Sequence, residues 1–340
     1  MHNTFSRLSR RTFLGGTIAG AGALAFPGMH RANAQEYPTD TFRVVIPTGQ
    51  GGAAERVARP FSDAWSKIIG QNFEFEFFPG AAGQIGYELF VKQREHNGYN
   101  LLYGNMGPEM IMYATQNPDY KFPEDFIYFC RTDVDDSCIF VRQDSEFTDI
   151  RQVADAAKER TLNVAVSRIP HPASIGVLAL GEATGGQFNL IPYGGGNPTY
   201  TAVMSGETDI GALPLAGTLS LTDQFRILGL FNNSGNPYPE QTNNAPLINE
   251  TFGTDIPELY SSKSWAVHRD WAEANPDDFK KLEETSKQVF DDPGFREAYA
   301  KTGAPIESIV YGDKEVCEKY ALSMIELAKK YQAVLSADKG

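Results

Sequence analysis

Apolar and polar positions along the chain follow two rhythms. Short, mostly apolar runs bounded by turn residues fall at Phe42–Ile46, Phe73–Phe77, Asn100–Tyr103, Phe126–Cys130, Cys138–Val141, Leu162–Val166, Phe188–Ile191, Ile210–Leu213 and Phe225–Leu230, and predict strands. Between and after them, apolar residues return at helical spacing, predicting helices over Ala54–Ile69, Gly83–Lys92, Ile150–Lys158, Ala173–Thr184, Thr199–Ser205, Pro276–Asp291, Pro293–Thr302 and Asp313–Leu335. Strand and helix in alternation predict an α/β protein with open, largely parallel sheets. At 340 residues the chain is long enough for two of them.

The N-terminus breaks this rhythm. Ser9-Arg10-Arg11-Thr12-Phe13-Leu14 is a twin-arginine export pattern, followed by a small-residue apolar run from Gly15 to Pro27 and a cleavage signal at Ala32-Asn33-Ala34. Residues 1–34 therefore read as a signal peptide removed after Ala34, which places the mature chain in the periplasm. The run is too short and too rich in glycine to span a bilayer, which takes about 20 apolar residues. Removing its four arginines takes the formal net charge from −13 to −17. So acidic a chain argues against nucleic acid as a partner. It binds an anion only through local donors, such as backbone amides and helix N-termini, because its overall field repels one.

Those donors are present in outline. Ile46-Pro-Thr-Gly-Gln-Gly-Gly-Ala-Ala-Glu55 joins a strand to a helix through glycines, which lets backbone N–H groups approach a ligand. It lacks the lysine of a phosphate loop and the distant acid of a dinucleotide site. Ser167-Arg-Ile-Pro-His-Pro-Ala-Ser174 repeats the arrangement in the second half, and Ile191-Pro-Tyr-Gly-Gly-Gly-Asn-Pro198 adds another glycine turn before a helix. In open α/β sheets such loops gather outside the carboxyl ends of the strands, so two sheets facing each other would line a cleft with donors.

Three cysteines, Cys130, Cys138 and Cys317, remain in a chain bound for an oxidising compartment. Cys130 and Cys138 flank what reads as a turn between two strands and form a candidate disulfide, with free buried thiols as the alternative. The mature chain keeps only His96, His171 and His268, without paired-histidine or C-x-x-C spacing, so neither a metal nor a cofactor is expected.

Tyr37-Pro38 before the first strand, Pro47 with Gly51-Gly52, Pro79-Gly80-Ala81-Ala82-Gly83-x-Ile85-Gly86, Gly98-Tyr99-x-Leu101-Leu102, Pro192-Tyr193 and Ser205-Gly206-Glu207 together resemble the solute-binding proteins of tripartite tricarboxylate transporters, the Bug or TctC family. The resemblance spans nearly the whole mature chain. It implies a bilobed, periplasmic-binding-protein-like fold with two α/β domains around a central cleft. It also implies a small carboxylate ligand, delivery to the membrane permease subunits, and action as a monomer without catalysis. Lobe one is then 35–138 with 263–340 and lobe two is 139–262, hinged near 138–142 and 260–265. Carried over residue by residue, the ligand-binding set is Thr48, Gly51, Gly52, Ala53 and Ala54 from the first loop. Ser167, Arg168, His171, Ala173 and Ser174 come from the second, with Asn105, Tyr193 and Gly194 in support. The family's Ser/Thr pair and Asp after Gly-Gly are replaced here by Ala53, Ala54 and Glu55, so hydroxyls are lost at that loop. The planar fork of Arg168 matches a ligand carboxylate, and Trp65 and Trp265 are candidate reporters of closure.

Two other classes stay open at this stage. One is a ligand sensor that presents its closed form to a membrane receptor. The other is an exported hydrolase, for which the chain offers no G-x-S-x-G elbow; its acid pairs Asp135-Asp136 and Asp277-Asp278 read as turn and helix-start residues.

Overall fold

The computed structural model describes residues 36–335. The expected signal peptide and its cleavage site lie outside them. Strands β1 (Phe42–Ile46), β2 (Phe73–Phe77), β3 (Asn100–Asn105), β4 (Phe126–Arg131), β5 (Asp135–Arg142), β6 (Leu162–Val166), β7 (Phe188–Pro192), β8 (Ile210–Pro214), β9 (Phe225–Leu230), β10 (Tyr260–Ser261) and β11 (Lys263–His268) form two sheets. The first has the order β2-β1-β3-β11-β4; the second runs β10-β5-β8-β6-β7, with β9 also paired to β5. The first helices in chain order are α1 (Ala53–Ile69), α2 (Gln84–Gln93), α3 (Met106–Gln116), α4 (Ile150–Glu159), α5 (Pro172–Thr184), α6 (Gly196–Ser205) and α7 (Leu215–Leu219).

Both faces of β1, β3, β11 and β4 are covered, which is why these strands read as largely apolar runs, while the edge strand β2 alternates Phe and Glu. Phe42, Val44 and Ile46 pack with Phe61 and Trp65 of α1, while Val45 faces Tyr87 and Phe90 of α2. Gly86 has a positional reason: a Cβ there would stand 2.6 Å from Cβ of Pro47, so α2 lies against the loop that follows β1.

Each sheet carries one reversed strand, so the largely parallel sheets expected are mixed. β1, β2 and β3 are parallel, as are β6, β7 and β8, but β11 runs antiparallel to β3 and β4, and β5 antiparallel to β8, β9 and β10. β5 and β11 arrive from the opposite sheet, so each meets its new neighbours in reverse. The chain leaves the first sheet after Arg131, enters the second at Asp135 and returns through Ser262.

The two crossings are joined to each other. Asp133 accepts the backbone N–H of Lys263 at 2.7 Å and pairs with its ammonium, Thr132 N–H donates to Lys263 O, and Ser262 Oγ donates to Asp133 O. Asp133 and Lys263 are both buried.

This geometry overturns the candidate disulfide. Residues 132–134 are a passage between sheets rather than a hairpin turn. Cys130 faces the first core on β4, Cys138 lies in the second sheet against Leu213 and Leu230, and both are buried free thiols, as is Cys317. Burial pushes the Cys138 and Cys317 thiols up to about 12 and about 11, so they stay protonated.

Candidate functional site

The loops that follow β1, β6 and β7 converge with the two crossings on a cavity of about 310 Å³. Thr48, Gly51, Gly52, Ala53, Ala54, Asn105, Ser167, Arg168, His171 and Gly194 all line it. Ala173, Ser174 and Tyr193 are not among its lining residues. Ala173 and Ser174 are fully buried in the first turn of α5, and Tyr193 packs beside the core under α6.

Each loop donor has its own bonding. Gly52 caps α1, and Glu55 in its first turn folds back so that Oε2 accepts the Gly51 N–H at 2.5 Å while Oε1 accepts Arg59 Nε at 2.6 Å. Gly52 N–H is bonded to Gly49 O. Glu55 thus fills part of the anion position that glycine loops offer. The first-turn amides of Ala53 and Ala54, like that of Glu55, have no acceptor among the described residues. At α6 the amides of Gly196 and Asn197 are open in the same way, and both residues line the cavity.

His171 is the N-cap of α5, its Nδ1 accepting the Ala173 N–H at 3.0 Å. Burial, then the nearby charges of Arg168 and Lys263, lower its pKa to about 3. It is a neutral structural acceptor, not the cation that its loop position suggests.

Arg168 also has partners within the protein. Its Nη1 donates to Ala82 O at 2.9 Å and lies 3.7 Å from Glu109 Oε1, so a residue after β6 ties the second sheet's loop to the first lobe. Ala82 holds a left-handed backbone, φ 55°, which turns its carbonyl toward this contact. Glu109 is fully buried; its Oε2 accepts from the Tyr87 hydroxyl at 2.8 Å and the Asn105 N–H at 2.5 Å. Burial pushes Glu109 up to about 7, against the lowering effects of Arg168, Tyr87 and Asn105.

Several cavity residues lie outside the expected ligand-binding set. Asp133 and Lys263 come from the crossings, and Asp135 opens β5; Tyr200 comes from α6, Tyr299 from the C-terminal segment, and Arg56 from the exposed face of α1. Asp135 is buried, accepts the Ala216 N–H at 2.8 Å, and is pushed by burial up to about 7. Two buried atoms that line the cavity, Thr48 Oγ1 and Asn105 Oδ1, have no partner among the described residues. The arrangement can seat a small polar ligand with an anionic end on helix N-termini. No cluster of residues fit for a metal ion occurs among the described residues.

Over residues 57–330 the sequence matches the family described as "Tripartite tricarboxylate transporter family receptor". It is 25% identical over 308 residues to the UPF0065 protein in the TAR-I ttuE-ttuC' intergenic region of Agrobacterium vitis, covering 88% of this chain and 86% of that protein. The fold is that of MatC from Rhodopseudomonas palustris, solved with bound malate: TM-score 0.72, 19% identity, 88% of this chain and 100% of the other. An R. palustris protein solved with adipate has TM-score 0.74 at 19% identity, over 88% of this chain and 98% of that one.

Proposed function

This chain belongs to the tripartite tricarboxylate transporter receptor family, a family of solute-binding receptors rather than enzymes, and on that premise we propose that it captures a small organic carboxylate in the cleft and delivers it to the membrane permease. The observation that carries the reading is the pair of helix N-termini, α1 and α6, whose open amides at Ala53, Ala54, Gly196 and Asn197 face one cavity from both lobes. Malate and adipate in the two R. palustris proteins are carboxylates of the size such a cavity takes. No helix of the described residues is long and apolar enough to cross a membrane. We read the N-terminal segment as a twin-arginine signal cleaved after Ala34, the site of action as the periplasm, and the crossings near Asp133 and Ser262 as the hinge; the first crossing precedes the expected 138–142, because β5 already runs in the second sheet from Asp135. A ligand touching both lobes stabilises the closed arrangement that a permease recognises.

A thermal-shift screen across mono-, di- and aromatic carboxylates tests this. A ligand at about one hundred times its Kd adds about 2.7 kcal/mol and raises Tm by several degrees. The same acid should reduce the scattering radius. If no organic acid moves either, the reading fails. Tryptophan emission should stay nearly unchanged, because Trp65, Trp265 and Trp271 all lie in the core of the first lobe, outside the cavity lining.

Arg168 is the support of closure in this scheme. Arg168→Ala removes the bond to Ala82 O and should expand the unliganded protein in scattering while weakening every carboxylate by a similar factor, about tenfold for one lost charge-assisted bond. A loss confined to particular carboxylates would instead place the guanidinium on the ligand.

A further inference from the structure

The charges of the cavity narrow the ligand class, given the carboxylate reading above. Three cations line the cavity. Lys263 is paired with Asp133 and Arg168 faces Glu109 and Ala82 O, whereas the Arg56 guanidinium has no hydrogen bond or ion pair among the described residues. Its guanidinium reaches across to the other lobe, where Nη2 lies 3.7 Å from the point a Cβ on Gly217 would occupy. Next to Gly217, the Ala216 N–H is bonded to Asp135 Oδ1. Asp135 lines the same cavity without a cation in salt-bridge contact among the described residues. Thr48 Oγ1 and Asn105 Oδ1 add buried oxygens that lack a partner among the described residues. Among the described residues the cavity therefore presents one free cation, open amides and a set of unmet acceptors.

We infer that the site is specific for a monocarboxylate carrying a hydrogen-bond donor, a hydroxyl or an amine, with Arg56 binding the carboxylate and Asp135 accepting from the donor. A guanidinium beside helix N-termini suits a carboxylate. At the other end a second carboxylate would meet the Asp135 carboxyl in a buried site, where two such groups do not both stay ionised, so a dicarboxylate binds only together with a proton. A hydroxyl or ammonium meets the same oxygen as a donor and needs none. The groups around Asp135 keep this difference in place. Lys263 on β11 attracts but is held by Asp133; Asp133 and Asp136 repel along the chain, and Cys138, Tyr200, Tyr238 and Tyr299, from β5, α6, the segment after β9 and the C-terminal segment, stay protonated near neutrality.

The test is calorimetry on the purified protein with chain-length-matched acids: butyrate, 4-hydroxybutyrate, 4-aminobutyrate and succinate, and the corresponding five-carbon set. The expected result at pH 7.5 is a preference of about tenfold or more for the hydroxy or amino acid over the dicarboxylate. The amine arm separates a charged donor from a neutral one. Succinate should tighten as pH falls below 7, while 4-hydroxybutyrate stays level. Arg56→Gln should weaken all of these acids by about tenfold with the ranking kept. Asp135→Asn should abolish the preference. The inference is overturned if dicarboxylates bind as tightly as the donor-bearing acids and Asp135→Asn leaves the ratio unchanged, or if Arg56→Gln changes no affinity. Should Asp135→Asn not fold, the pH series on the unaltered protein decides alone. Binding of succinate without preference defeats this inference and leaves the carboxylate reading intact; failure of every acid in the wider screen defeats that reading itself.

Discussion

Replacing Lys263 by methionine should lower stability by about 3–5 kcal/mol, because it leaves the Asp133 carboxylate buried with its charge partner gone. For a chain of this size that is a fall in Tm of about 10 °C. The loss arises less from the attraction removed than from the charge stranded, so the double variant Asp133→Asn with Lys263→Met should recover most of it. Asparagine keeps an acceptor for the Lys263 backbone N–H, which lies 2.7 Å from Asp133 Oδ1. The measurement is a double-mutant cycle by denaturant unfolding, with coupling expected well above 1 kcal/mol. Coupling near zero would mean that water reaches the pair and screens it.

The position of this pair gives the prediction a functional side. Asp133 and Lys263 sit on the two segments by which the chain passes between sheets, and each also lines the cavity. A fixed pair at that place lets the lobes move as bodies about a defined axis instead of fraying at the crossings. The double variant therefore separates two properties: its stability should return, while its scattering radius without ligand should exceed that of the unaltered protein.

How much of this was legible in the chain depends on which residues carry a local signal. The strands Phe42–Ile46 and Leu162–Val166 fall where their apolar runs lie, since burial on both faces leaves such runs intact, and the edge strand Phe73–Phe77 falls where Phe and Glu alternate. Helix α3 had no such signal. Met106-Gly-Pro-Glu-Met-Ile-Met is buried on nearly all sides, so it shows no polar stripe, and its one acid, Glu109, looks like a surface residue until Tyr87 and Asn105 are seen to bond it. The glycine loops at Gly51-Gly52 and Gly194-Gly195-Gly196 pointed to the cavity because a close backbone approach requires those residues. Asp133 and Lys263 were invisible for the opposite reason: a crossing between sheets is defined by long-range topology and leaves no periodicity, and Asp135 read as a turn residue although it opens β5. Arg56 and Arg59 are equivalent in sequence, three residues apart on one helix; the fold separates them by giving Arg59 the carboxylate of Glu55 and leaving Arg56 to the cleft.

Glu109→Gln should change how stability depends on pH. In the unfolded chain Glu109 titrates near its ordinary value of 4.5, and in the fold at about 7. Between these values the folded protein holds a proton that the unfolded chain has released. The stabilisation linked to that proton is fully present below about 4.5 and is lost as pH rises through about 7. Glutamine mimics the protonated state: its oxygen accepts from Tyr87 and Asn105, and a neutral amide stands where an ionised oxygen would lie. Relative to the unaltered protein, the variant should gain about 2–3 kcal/mol between pH 5 and pH 8. His171 and His268, lowered by burial to about 3 and about 4, act in the other direction, costing stability as pH falls below 6.5, but they are common to both proteins and cancel in the comparison. Equilibrium unfolding at several pH values measures the difference directly, and parallel curves would show that Arg168, 3.7 Å away, already holds Glu109 ionised at pH 5. In that case the Arg168–Glu109 contact is a full ion pair, and the tie between the lobes is insensitive to pH across the range in which the receptor meets its ligand.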